Sequence, residues 1–313
     1  MKKVFLLLSC VLLLQPFWVA AAESSAFSFG IIAKPLKADP NDEALRESLA
    51  ESDADNLAFV VANGIKSNNE PCADAIYKER KALLDTAKNG LIVSVAASDW
   101  ALCANGKRSE SFERLSRLRD MYFSDEFSFG DSKIQVARQS AMPKFRTYAE
   151  NMRWRVGDVL FATINLPANN NNYLNAAGRN SEYEDRQIAN SDWLKRLFVM
   201  AKVNKLNGIV LFCDGNPLIP AEHSIFSSNN KREGFTDIRK QILAAAAKFQ
   251  GKLLIVHNDD TDHHPSAGKG ILWNNNIGTV HVDGPWRKIT IDTATPKLFF
   301  LASQPMPSQA RAQ

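Results

Sequence analysis

Beyond its N-terminus this sequence has no long hydrophobic run, no internal repeat, no heptad pattern and no Pro- or Gly-rich linker that would divide it into domains. It also lacks the local signatures of several common chemistries. There is no Gly-x-Ser-x-Gly elbow, no Cys-x-x-Cys pair and no Rossmann glycine triplet, and Gly268-Lys269-Gly270 lacks the spacing of a phosphate loop. Charge of one sign is scarce as well: 38 Lys and Arg face 34 Asp and Glu, a formal net charge of +4. The basic residues are scattered, so neither nucleic acid nor an anionic membrane is indicated as a partner. The apolar share of 45% and charged share of 23% are those of an ordinary soluble globular chain.

What is present first is a leader pattern. Lys2 and Lys3 precede an apolar stretch from Val4 to Leu14, which Gln15-Pro16 breaks before the small-residue run Ala20-Ala21-Ala22. The stretch is too short for a membrane span, which needs roughly 20 apolar residues; an uncleaved anchor is the alternative reading. Residues 1–22 are expected to be a signal peptide, with export to the periplasm or the medium and no span in the mature chain. Residues 23–303 then read as a single domain, and 304–313 as a loose polar tail. Of the 4 cysteines, the mature chain keeps Cys72, Cys103 and Cys213. One disulfide and one buried thiol are expected in an oxidising compartment, with three buried thiols as the alternative. Cys72 and Cys103 are the favoured pair, because both sit in loop-like sequence whereas Cys213 ends an apolar strand.

Short apolar runs alternate with helical patterns. Strands are expected at Phe27–Ala33, Leu57–Ala62, Leu91–Ala96, Val159–Leu166, Ile209–Cys213 and Leu253–His257. Helices are expected at Asn41–Ser52, Ala73–Lys88, Ser111–Tyr122, Ser181–Lys202 and Thr236–Phe249; in the third of these Phe112, Leu115, Leu118 and Met121 recur every three residues. The end, Thr279 to Ala302, alternates in strand fashion and is expected to complete a sheet edge. This order argues an α/β fold. Polar residues follow the strands at one end: Asn63-Gly64, Ser98-Asp99, Asp214-Gly215 and His257-Asn258-Asp259. In open α/β sheets ligands bind outside the carboxyl ends of strands, although any one strand ending in a polar turn needs no such explanation.

A set of motifs in fixed order gives the chain a resemblance. It reads Cys72, then Ser98-Asp99-Trp100 and Cys103, Glu113-Arg114-Leu115, Glu150-Asn151-Met152-Arg153-Trp154, Asn170-Asn171-Asn172, Arg186, Trp193-Leu194 and finally Val256-His257-Asn258-Asp259. Over essentially the whole mature chain this resembles bacterial secreted members of the calcineurin-like metallophosphoesterase superfamily. The resemblance implies a four-layer α/β/β/α sandwich and supports the Cys72–Cys103 pair, since both cysteines have family counterparts.

The same alignment implies that the family's two-metal site is degenerate here. A pair of cations roughly 3.5–4 Å apart needs several carboxylates, one of them bridging. The first strand, expected to end in Gly-Asp, runs into Ala33-Lys34-Pro35. Gly64 runs straight into Ile65, without the bridging acid, and Ser98 stands where the family has an Asn ligand. Lys34 is expected to place an ammonium near the empty metal position, with Asn63 and Ser98 lining the same cleft as ligand-binding residues. Asp99 and His257 are the candidate catalytic groups. Metal-ligand chemistry is concentrated in His257, Asn258, Asp259, Asp260, Asp262, His263 and His264, which with Asp214 could hold one divalent ion, Zn, Mn or Fe; a solvated acidic loop is the plainer reading. His223 and His281 read as a loop and a strand histidine. The expected function is a degenerate phosphoesterase-fold protein that binds a small or phosphorylated ligand, or a partner. An active phosphoric ester hydrolase with a site rearranged around Asp99, Asp214, His257 and His263 is the alternative.

Overall fold

Period-two alternation of buried side chains organises this chain more than any helix does. The structure, a computed structural model, describes residues 26–33, 42–103, 108–174, 180–219, 233–258, 270–282 and 286–302. The signal segment 1–22, the tail from 304, Lys34, His223, Asp259, Asp260, Asp262, His263 and His264 lie outside the described residues. Twelve strands run β1 (Ala26–Ile32), β2 (Val60–Asn63), β3 (Leu91–Ser94), β4 (Ala137–Arg138), β5 (Met152–Val156), β6 (Val159–Thr163), β7 (Gly208–Phe212), β8 (Lys252–His257), β9 (Leu272–Asn274), β10 (Ile277–His281), β11 (Arg287–Asp292) and β12 (Leu298–Leu301). Among the described residues five α-helices intervene: α1 (Glu43–Asp53), α2 (Asp74–Leu84), α3 (Arg108–Tyr122), α4 (Ser181–Val203) and α5 (Thr236–Ala246).

The strands form two sheets, one of five in the order β12-β11-β1-β2-β3 and one of seven in the order β4-β5-β6-β7-β8-β10-β9. Each has a parallel run (β1-β2-β3 and β6-β7-β8-β10); antiparallel pairing adds β11 and β12 on one side of the smaller sheet, β5 and β4 on one side of the larger and β9 on its other side, while β3 is a parallel edge. Of the late strands expected from the sequence, β11 and β12 complete an edge of the smaller sheet, whereas β10 lies inside the larger one, whose edge is β9, a strand not expected.

Alternation assigns the faces of the larger sheet. Val159 and Phe161 of β6, Val210 and Phe212 of β7, and Leu254 and Val256 of β8 share one core with the five-stranded sheet. Leu160 and Ala162, Ile209 and Leu211, and Leu253 and Ile255 point the other way, into a second core built with α4 and α5. The shared core is aromatic at its centre: the Phe161 ring lies 5.4 Å from Phe29 and 4.8 Å from Phe59, and Phe212 lies 5.9 Å from Phe29. Helices α1, α2 and α3 contribute Leu45, Tyr77, Leu84, Leu115 and Leu118 to that core.

Three details depart from expectation. The buried stripe of α3 is Ser111, Leu115, Leu118 and Tyr122, while Phe112 stays 38% exposed; a helix repeats every 3.6 residues, so a strict three-residue spacing drifts off the face. Helices α2 and α5 stop at Leu84 and Ala246, short of the expected Lys88 and Phe249. Strand β5, not expected, places Met152 and Trp154 in the shared core and turns Arg153 and Arg155 outward, an alternation masked by arginines on its outer face.

Candidate ligand site at the strand ends

The carboxyl ends of β2, β3, β7 and β8 meet, and hydrogen bonds between their polar residues join the two sheets. Asn63, the last residue of β2, donates from Nδ2 to the Cys213 carbonyl at 2.9 Å and to Asn258 Oδ1 at 3.0 Å. Asn258 returns a bond from its own Nδ2 to the Asn63 carbonyl at 2.5 Å. Asp214 Oδ2 accepts the backbone N–H of Ala97 at 2.7 Å and of Ala168 at 2.8 Å. The chain can turn sharply after β2 because Gly64 takes φ +118°, a conformation closed to other residues at low cost.

Asp99 lies behind this turn in the short 3₁₀ segment Ala97–Asp99 and is fully buried. Its Oδ1 accepts the N–H groups of Ile65 and Lys66 at 2.9 and 3.1 Å, and its Oδ2 accepts that of Ala96 at 2.7 Å. Burial pushes its carboxyl up to about 7; those three N–H groups pull against the rise and the Asp214 charge adds to it. Lys66, itself buried, donates from Nζ to the Ser67 carbonyl at 2.7 Å, and burial holds its ammonium below the usual lysine value. Arg80 buttresses the loop from beneath, donating to the Ile65 carbonyl at 3.2 Å and pairing with Asp42 and Glu70.

The sequence candidates are thus placed unequally. Asn63 and Asp214 come together at the junction of the sheets, with Asp99 just behind them, and Ser98 is half-buried in the same 3₁₀ turn. His257 follows Val256 and so turns to the opposite face of β8, the face of Leu253 and Ile255. There its Nε2 lies 3.1 Å from Asn216 Nδ2, and its ring centre lies 5.7 Å from that of His281. Cys72 and Cys103 form a disulfide, and Cys213 is a buried thiol outside it. Among the described residues no group of three or more His, Cys, Asp or Glu side chains is placed to hold a metal ion. Two buried acceptors near the strand ends, Asn63 Oδ1 and Ser94 Oγ, have no hydrogen-bond partner among the described residues.

Sequence reasoning missed Asn258 as the partner of Asn63, and it missed a second buried polar cluster beside the site. Arg186 of α4 is fully buried, pairs with Glu182 at 2.6 Å and donates to Asn171 and to the Asn165 carbonyl; its guanidinium lies 5.6 Å from the Trp100 ring centre. It holds a turn in which Asn170, Asn171 and Asn172 all take φ near +53°, the left-handed region that Asn enters more readily than most residues. The run of asparagines marks the loop in the sequence; nothing there links it to Arg186. Chemically the strand ends gather amides and carboxylates bonded to one another and to the backbone, with the buried Asp99 carboxyl behind them held near neutrality.

No family model matches the chain, and no curated protein matches it. Among solved structures, the chain is similar to the crystal structure of TT1561 of Thermus thermophilus, with a TM-score of 0.45 and 9% identity over 88% of this chain and 98% of that one.

Proposed function

We propose that this is an exported protein with the four-layer α/β/β/α architecture of the calcineurin-like metallophosphoesterases, one in which the two-metal site is lost and the strand-end cleft binds a ligand or partner. The observation that carries the reading is the use made of Asp214. Its Oδ2 accepts two backbone N–H groups, from Ala97 and Ala168, and so anchors loops where a catalytic carboxylate would face a cation. A bridging acid is missing as well: Asn63, a neutral amide engaged with Asn258, closes β2. Asp99 and Asp214 are the carboxylates at this junction among the described residues, and each is committed to backbone donors, which does not fit a pair of cations needing several carboxylates between them. Unpartnered Asn63 Oδ1 and Ser94 Oγ support a small polar ligand that brings a hydrogen-bond donor, because buried polar groups are nearly always satisfied by something. Lys34 would add a positive charge to that cleft. One divalent ion held by Asp259, Asp260, Asp262 and His263 with His257 or Asp214 remains part of the proposal. Export follows from the leader pattern and is supported by the Cys72–Cys103 disulfide; no helix of the described residues is long and apolar enough to cross a membrane.

The carboxyl of Asp99, held near neutrality, favours a second reading: a phosphoric ester hydrolase rearranged around Asp99, Asp214, His257 and His263. Metal content of the purified mature chain by mass spectrometry, with phosphomonoester and phosphodiester turnover in added Mn²⁺, separates the two. The expected result is at most one metal per chain, lost when His257 and His263 are replaced, and no turnover. Two metals with turnover would overturn the binding reading in favour of the hydrolase.

A further inference from the structure

Helix α4 rests on β6 and β7, and its C-terminal half lies beside the edge formed by β4 and β5. The step between helix and edge is a groove of about 740 Å³, a size usual for small-molecule sites. It lies on the helix-bearing face of the seven-stranded sheet, away from the junction of the two sheets.

The floor of the groove is apolar, made by Met142, Val199, Met200 and Val203, with Trp193 at its base. Val199 and Val203 are 52% and 75% exposed, apolar side chains left open to solvent along the groove. The charges along the rim are unbalanced. Arg196 is matched by Asp192 at 2.6 Å, and Arg138 donates to the Asp125 and Ala149 carbonyls. Arg153 and Lys195 have no carboxylate partner among the described residues. Arg153 projects from β5 toward α4, with Nη1 3.1 Å from Met200 Sδ and its guanidinium 6.0 Å from the Trp193 ring centre. Partial burial, with Arg196 beside it, holds this guanidinium below its usual value, the mark of a cation lacking a counter-charge.

We propose that this groove binds a single-chain organic carboxylate, its head paired with the Arg153 guanidinium and its apolar tail laid along Val199, Met200 and Val203. A planar guanidinium offers a two-pronged donor to a carboxylate. The tail would cover apolar surface that is otherwise wet. The surplus positive charge excludes a cationic or neutral ligand as the best fit, and the volume suits one chain rather than a folded domain.

The test is titration calorimetry on the full mature chain with decanoate, kept below its aggregation concentration, against 1-decanol and acetate as tail-only and head-only probes. One decanoate per chain is expected, with at least roughly tenfold weaker binding in Arg153→Gln, the effect of removing a charge-assisted pair, and comparable loss in Val203→Glu. Acetate and 1-decanol should bind much more weakly. Val203 is exposed, so that variant keeps its fold and settles the matter if Arg153→Gln melts early by circular dichroism. Undetectable decanoate binding, binding unchanged in Val203→Glu, or 1-decanol binding as well as decanoate would each overturn the proposal. So would a dimer that dissociates in Val203→Glu without any decanoate binding, which would assign the groove to a second copy of the chain.

Discussion

Asp99 illustrates how a single residue can carry a pH dependence without touching solvent. In the unfolded chain a carboxyl releases its proton near pH 4, whereas the folded chain holds this one until about 7. Across that window the folded state binds more protons, so this group makes stability fall as pH rises and leaves it flat again above about 7. The urea midpoint measured from pH 4 to 8 should show the decline, and Asp99→Asn should remove that part of the slope. The variant also leaves the Ala96 N–H facing an amide NH₂ in place of Oδ2, so at pH 5 it should be less stable by about 1–3 kcal/mol. A slope identical in wild type and Asp99→Asn would assign the pH dependence elsewhere. That Asp99 stood at a strand end was legible from Ser98-Asp99 after an apolar run. Its burial was not, because the three N–H groups that hold it come from Ala96 and from Ile65 and Lys66, some thirty residues away along the chain.

Among the elements, those with a strong internal period were legible and those set by neighbours were not. Helix α4 was read almost to its ends, with Trp193, Leu194, Leu197 and Phe198 recurring at helical spacing on its buried face, and β6, β7 and β8 were read from continuous apolar runs. Strand β5 carries two arginines and depends on pairing with β6, and β4 is two residues long. Helix α2 depends on a covalent tie: Cys72 lies just before its start and is joined to Cys103 with a sequence separation of 31. Closing a loop of that length restricts the unfolded chain by about 3–4 kcal/mol in the chain-entropy model. The Cys72→Ser/Cys103→Ser double variant should therefore lose about that much in urea denaturation, and the wild type should lose a similar amount under reducing conditions. A loss below about 1 kcal/mol would show that α2 and the 3₁₀ turns at Ala97–Cys103 are held by packing alone.

For the molecule as a whole, the question is what sets the two sheets against each other. The aromatic core of Phe29, Phe59, Phe161 and Phe212 supplies most of the cohesion but little direction, because apolar contact tolerates sliding. The Asn63–Asn258 amide pair and the Asp214 bonds to Ala97 and Ala168 are directional and sit where β2, β3, β7 and β8 end. Replacing Asn63 or Asn258 by Ala should each cost about 1–3 kcal/mol. The double variant should fall short of the sum by roughly 0.5–3 kcal/mol, the signature of residues in direct contact. Additive losses would mean that the sheets are registered by the core alone.

The sequence alone determined the alternation of strands and helices, the polar character of the strand ends and the choice of Cys72 and Cys103 as the favoured pair. These follow from local periodicity and composition, which each segment carries within itself. Only the tertiary structure decided that Asn63 faces Asn258, that Asp214 caps loops from both sheets, and that His257 turns away from them to the helix-bearing face of β8. A strand's neighbours and the face each side chain takes depend on pairing between segments far apart in the chain, and that information is held in no single segment.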